Sequence, residues 1–121
     1  MRALVVAALL LGACGGGTDF TLAGRWVGQV VIGAWEGTEL VQHFDDAGAY
    51  RMTVNSTDFV GTWSVAGDMV TIADGSCVTT DPGTFQLNWV DEATFIYHTV
   101  DDACESRGDS LNGMTMTQPF Q

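Results

Sequence analysis

The sequence predicts an all-β fold in which eight antiparallel strands close into an up-and-down barrel. Three observations lead there. From Leu22 onward no stretch has convincing helical periodicity, and none of helix length is free of glycine or β-branched residues. Short runs rich in Val, Thr, Ile and aromatics recur instead between Gly, Asp and Asn. Most connections between these runs are only about two to six residues long, which favours antiparallel neighbours because parallel crossovers need a dozen or more.

The runs fall at residues 24–32, 38–44, 49–55, 59–65, 69–73, 84–90, 93–100 and 113–118. The turns between them carry matching signals: Asp45-Asp46-Ala47-Gly48, Ala66-Gly67-Asp68 and Asp91-Glu92. Within the runs apolar and polar residues alternate. Tyr50, Met52 and Val54 share a face, as do Phe59, Trp63 and Val65; Phe85, Leu87 and Trp89; Phe95 and Tyr97; and Met114 and Met116. The intervening positions are mostly polar: Arg51, Thr53, Thr62, Ser64, Gln86, Asn88, Thr115 and Thr117. One dry and one wet face per strand suits a barrel or a two-sheet sandwich, and sequential hairpins favour the barrel. Two longer connections remain, 74–83 and 101–112, each holding one cysteine.

Composition bounds the function. The 121 residues carry 15 acidic side chains against four arginines and no lysine, a formal charge of −11. Such a surface gains nothing from nucleic acid or from anionic lipid head groups. The apolar fraction of 46% and charged fraction of 16% are those of a folded domain.

The N-terminus reads as an address. Arg2 precedes an uninterrupted apolar run, Ala3 to Leu11, too short to span a bilayer but suited to a signal peptide. Leu11-Gly12-Ala13-Cys14 follows and resembles the lipobox of bacterial lipoproteins. The resemblance implies a signal peptide over residues 1–13, lipid attachment at Cys14 and membrane anchoring through two or more acyl chains. Residues 14–21, with Gly15-Gly16-Gly17, then form a flexible tether, and 22–121 form the domain. A glycine after the lipidated cysteine, with no aspartate, further implies the outer membrane of a Gram-negative envelope, facing the periplasm or the exterior. Cleavage leaves three arginines against 15 carboxylates, hence 3 − 15 = −12. With Cys14 acylated, Cys77 and Cys104 are an even pair in an exported chain, which implies a disulfide. A hairpin turning at Asp91-Glu92 brings them nearly opposite across its open ends.

A second resemblance covers about Leu22 to Ile72. Leu22-Ala23-Gly24-Arg25-Trp26 looks like the Gly-X-Trp opening of lipocalins and related barrels. Phe44-Asp45-Asp46-Ala47-Gly48-Ala49-Tyr50, then Gly61-Thr62-Trp63-Ser64-Val65 and Gly67-Asp68, are similar to small bacterial lipocalin-like lipoproteins. The resemblance implies that Trp26 plugs the closed end of the barrel beneath a cavity. Strands of about seven residues are short for that family, so the cavity is expected to be small, or filled by the four tryptophans.

Candidate sites follow from parity. Gln42, Tyr50, Tyr97 and Thr99 point inward among apolar neighbours, as in a small-molecule pocket, or else as phenols of a packed core reaching the barrel mouth. Trp35, in the loop 33–37, suggests a partner contact or lid, or equally a ring packed back over the barrel end. His43 and His98 fall on outward positions with no zinc-like spacing, so no metal or other cofactor is expected. The acidic segment with Asp101, Asp102, Glu105 and Asp109 reads as a solvated loop, and Arg107-Gly108-Asp109 as a chance tripeptide. No nucleophile–base set is visible, so the sequence does not read as an enzyme. The expected function is a membrane-anchored module binding a small apolar ligand. The alternative is a filled barrel whose loops meet a protein partner, in envelope assembly or protease inhibition.

Overall fold

The computed structural model describes residues 20–32, 35–77 and 81–119. The signal peptide, Cys14 and most of the tether lie outside the described residues. Eight strands form: β1 (Gly24–Gln29), β2 (Glu39–Phe44), β3 (Ala49–Val54), β4 (Thr57–Ala66), β5 (Met69–Asp74), β6 (Gly83–Asp91), β7 (Thr94–Asp102) and β8 (Thr115–Thr117). Each pairs antiparallel with its sequence neighbour, and Val27 opposite Thr117 closes β1 onto β8. The up-and-down barrel read from the alternation is therefore the fold.

Boundaries differ where the chain leaves regular pairing. β1 ends at Gln29, yet Val30 still bonds Thr38 O and Gly37 N across the hairpin mouth and stays buried. The β3–β4 turn is tighter than the sequence spacing indicates. Asn55 and Ser56 both take left-handed φ, 51° and 66°, so β4 begins at Thr57. The β6–β7 register places Trp89 opposite Phe95 and Gln86 opposite His98, with irregularities at each end.

The interior follows the expected parity. Leu40, Phe44, Tyr50, Met52, Val54, Val70, Ile72, Phe85, Leu87, Phe95, Tyr97, Met114 and Met116 are buried. Phe59 and Trp63 are only half-buried, and Val65, near the Gly67 turn, is 44% exposed at the rim. His43 and His98 are exposed, as expected. On the outer face His43 lies opposite both Arg25 and Arg51, a row of three basic groups on an acidic protein.

Trp26 fills one end. It is fully buried, its Nε1 donates to Leu22 O at 2.7 Å, and its ring meets Trp89 and Phe95 edge-on at 5.8 and 4.9 Å. Gly24 enters at φ +124°, where a side chain is strained and a Cβ would stand 2.5 Å from Gln118 Nε2. The second set of motif residues meets at the same end: Trp63 Nε1 donates to Asp45 O at 2.9 Å, and its ring packs edge-on against Phe44. Gly61 is required by close approach, since a Cβ there would lie 1.8 Å from Ala73 O on β5.

One element was not foreseen. Within the long connection after β7, Glu105–Leu111 forms a short helix, α1. Its buried residues are Arg107, Gly108, Ser110 and Leu111. Three of these are polar or lack a side chain, so the segment has no apolar period to read. Asp101, Glu105 and Asp109 are exposed to solvent as expected, but the loop reading is corrected: Asp102 pairs with Arg107 inside the fold, and α1 covers the open end of the barrel.

Candidate functional site at the capped end of the barrel

Several links fix α1 over the barrel mouth. Cys104, the residue before the helix, is bonded to Cys77, with Cα atoms 6.1 Å apart. The disulfide expected from the cysteine arithmetic is therefore present, and it joins the two long connections. Thr99 Oγ1 donates to Gly108 O at 2.6 Å, and Thr99 N donates to Asn112 Oδ1 at 2.9 Å. Gly108 lies so close to the wall that a Cβ would sit 3.1 Å from Asp102 Cβ and 3.3 Å from Thr99 Cγ2.

Arg107 is the centre of the latch. Its Nε donates to Asp102 Oδ2 at 2.7 Å, while Nη2 donates to Asp102 Oδ1 at 2.8 Å and to Asp81 O at 2.7 Å. This is a two-pronged, charge-assisted pair. Nη1 lies 3.5 Å from Asp74 Oδ1, on the last residue of β5. Asp74 Oδ1 also accepts from Ser76 N at 3.0 Å and from the Ser76 hydroxyl. Both Arg107 and Asp74 are buried. The bonds donated to Asp102 raise the guanidinium pKa, outweighing the opposite effect of burial, so the charge persists.

Below the latch, three of the expected inward polar residues meet. Tyr97 Oη donates to Gln42 Oε1 at 2.6 Å, and Gln42 Nε2 donates to Tyr50 Oη at 2.7 Å. All three are essentially excluded from solvent. Burial pushes both phenols well above their ordinary pKa; Tyr97 and Asp74 push Tyr50 further in the same direction. The amide oxygen and nitrogen of Gln42 thus join two phenols that start on different strands. Thr99 is not part of this group, because its hydroxyl is taken by the helix.

Between the polar trio and the cap lies a cavity of about 190 Å³. Trp35, Leu40, Met52 and Leu111 form its apolar wall, and Ser76, Ser106, Arg107, Asp109 and Ser110 its polar side. Trp35 is half-buried, with its ring stacked on Phe59 at 6.3 Å and 20°. The ring packs back against the core and lines the cavity. Gln42, Tyr50, Tyr97 and Thr99 do not line this space. The polar wall comes instead from residues near the two cysteines, and only their placement in the long connections marked them in advance.

The remaining interior is occupied by side chains, with Trp26, Phe95, Phe85 and Phe44 all fully buried. Among the described residues no three His, Cys, Asp or Glu side chains are grouped to hold a metal.

No protein-family model and no curated protein sequence matches the chain. Among solved structures it is similar to the crystal structure of Treponema pallidum Tp0751 (Pallilysin). The two are 12% identical with a TM-score of 0.53, over 83% of this chain and 82% of that one. At that identity the likeness concerns the fold alone. The class defined by fold and site is a closed antiparallel barrel with one helix-capped, partly polar cavity, and no catalytic family is indicated.

Proposed function

We propose that this protein is a lipid-anchored, lipocalin-like binding module of a bacterial cell envelope. Its ligand is a small, largely apolar molecule held at the helix-capped mouth. The observation that carries this reading is the cavity under Trp35, walled on one side by Leu40, Met52 and Leu111. Binding pockets combine such apolar walls with a few polar groups that fix orientation. An apolar cavity of about 150 Å³ is enough for benzene, so a space of about 190 Å³ suits a molecule of about ten non-hydrogen atoms. That is smaller than the pockets of about 300 Å³ and more that enclose drug-sized ligands.

The anchor rests on Leu11-Gly12-Ala13-Cys14 and the apolar run before it. In a Gram-negative cell, Gly15 supports retention at the outer membrane. The filled lower half of the barrel supports a second reading, in which the domain is a rigid scaffold whose rim loops meet a protein partner.

The chain purified from its own envelope, washed free of detergent and denatured, decides between these readings. A small molecule released in near-stoichiometric amount, and absent from a Ser110→Phe variant whose added ring fills the cavity, supports the binding module. An empty extract from both proteins, with a protein retained on the native chain, favours the scaffold.

A further inference from the structure

The proposed binding reading leaves the ligand's polar chemistry open, and Arg107 narrows it. A guanidinium has five N–H groups. The single N–H on Nε and the two on Nη2 are taken by Asp102 and by Asp81 O. The two on Nη1 have no hydrogen-bond partner among the described residues, although Arg107 is only 3% exposed. A buried charged donor left without an acceptor costs more than a neutral one. Arg107 also forms part of the wall of the cavity beneath Trp35. A charged donor pair held only by the 3.5 Å ion-pair contact with Asp74, and not by a hydrogen bond, therefore belongs to a residue that borders an otherwise small and half-apolar space.

The sign of the charge around it selects among acceptors. Asp102 and Asp74 both contact the guanidinium, and Asp109 adds a third carboxylate on the cavity wall. One positive charge faces three negative ones, so the site as a whole repels an anion. A cation would bring its own N–H groups against those of Nη1. A neutral oxygen acceptor has neither problem.

We infer that the cavity takes a small neutral molecule whose carbonyl, ester, amide or hydroxyl oxygen accepts from Arg107 Nη1, with its hydrocarbon part against Trp35, Leu40, Met52 and Leu111. This rests on the binding-module reading and adds the polar requirement to it. Carboxylates and phosphates are excluded by Asp74, Asp102 and Asp109, and plain hydrocarbons lose the charged hydrogen bond.

Three probes built on one ring separate the possibilities: acetophenone, ethylbenzene and benzoate, each titrated calorimetrically into the full chain and into Ser110→Phe. Acetophenone is expected to bind about tenfold or more tightly than ethylbenzene, as one hydrogen bond to a charged donor implies, and benzoate is expected to bind weakest. The Ser110→Phe chain is expected to bind none of them. Equal binding of ethylbenzene and acetophenone, lost in Ser110→Phe, would overturn the polar requirement and leave the cavity reading standing. Preference for benzoate would overturn the charge argument. Absence of binding by all three would overturn both, because the space would then not admit a molecule of this size.

Discussion

Raising the pH tests the interior directly, because Tyr50 and Tyr97 are the chain's two tyrosines and both lie inside the barrel. Their phenols are held neutral in the folded state by burial, above an unfolded value of about 10. A group that loses its proton less readily when folded contributes stability that is complete below the unfolded pKa. That stability is lost as pH rises above it, since the unfolded chain then binds fewer protons. The slope is about 1.4 kcal/mol per pH unit for one tyrosine, hence about 2.7 kcal/mol for both. At about pH 12 the two phenols together have removed roughly 5 kcal/mol, which matches the low end of the total stability of a domain. Tyrosinate absorbance and far-ultraviolet circular dichroism, followed together from neutral pH upward, are expected to change in one cooperative step above pH ~10. Either tyrosine ionising near its ordinary value while the barrel signal stays intact would refute the buried Tyr97–Gln42–Tyr50 chain.

Four further outcomes follow from the same structure. Gln42→Leu leaves two buried hydroxyls without their amide partner and is expected to cost about 2–4 kcal/mol in urea unfolding. Most of that loss should return when Tyr50→Phe and Tyr97→Phe are added, because apolar groups of like shape need no partner. Gly61→Ala drives a Cβ into Ala73 O and is expected to destabilise the barrel by about 3 kcal/mol, or to prevent folding, as judged by expression and melting. Reducing Cys77–Cys104, which are 27 residues apart, is expected to cost about 3.5 kcal/mol, with hydrogen exchange rising first in α1. His43→Glu places a carboxylate between Arg25 and Arg51 and is expected to raise stability by about 0.5 kcal/mol, an effect that salt removes.

The strands were legible because their signal is local. Tyr50, Met52 and Val54 alternate with Arg51 and Thr53, and a period of two has one structural meaning. The cysteine pairing was legible by counting, since Cys77 and Cys104 are the pair left once Cys14 is assigned to the lipid, whereas the hairpin register itself shifts twice between β6 and β7. The capping helix was not. It spans seven residues, and its inward side is Arg107 and Ser110 as much as Leu111. Its place is fixed by Asp102, Asp81 and Thr99 rather than by an apolar stripe. Parity correctly sent Gln42, Tyr50 and Tyr97 inward, but parity does not reveal that they bond to one another. That depends on how far apart the closing barrel leaves β2, β3 and β7. The cavity wall was hidden for the same reason: Trp35, Ser76 and Arg107 are distant in sequence and meet only when the barrel closes and its cap is latched.

The ligand site itself is tested most directly by methyl-resolved NMR of the full chain during titration with acetophenone. Saturable shifts are predicted for the Met52, Leu40 and Leu111 methyls and the Trp35 ring, which share one wall. The methyls of Val60 and Val90, exposed on the outer face, are predicted to stay unchanged. Unmoved cavity methyls at saturating probe, or shifts confined to the outer valines, would contradict the assignment of the capped cavity as the binding site.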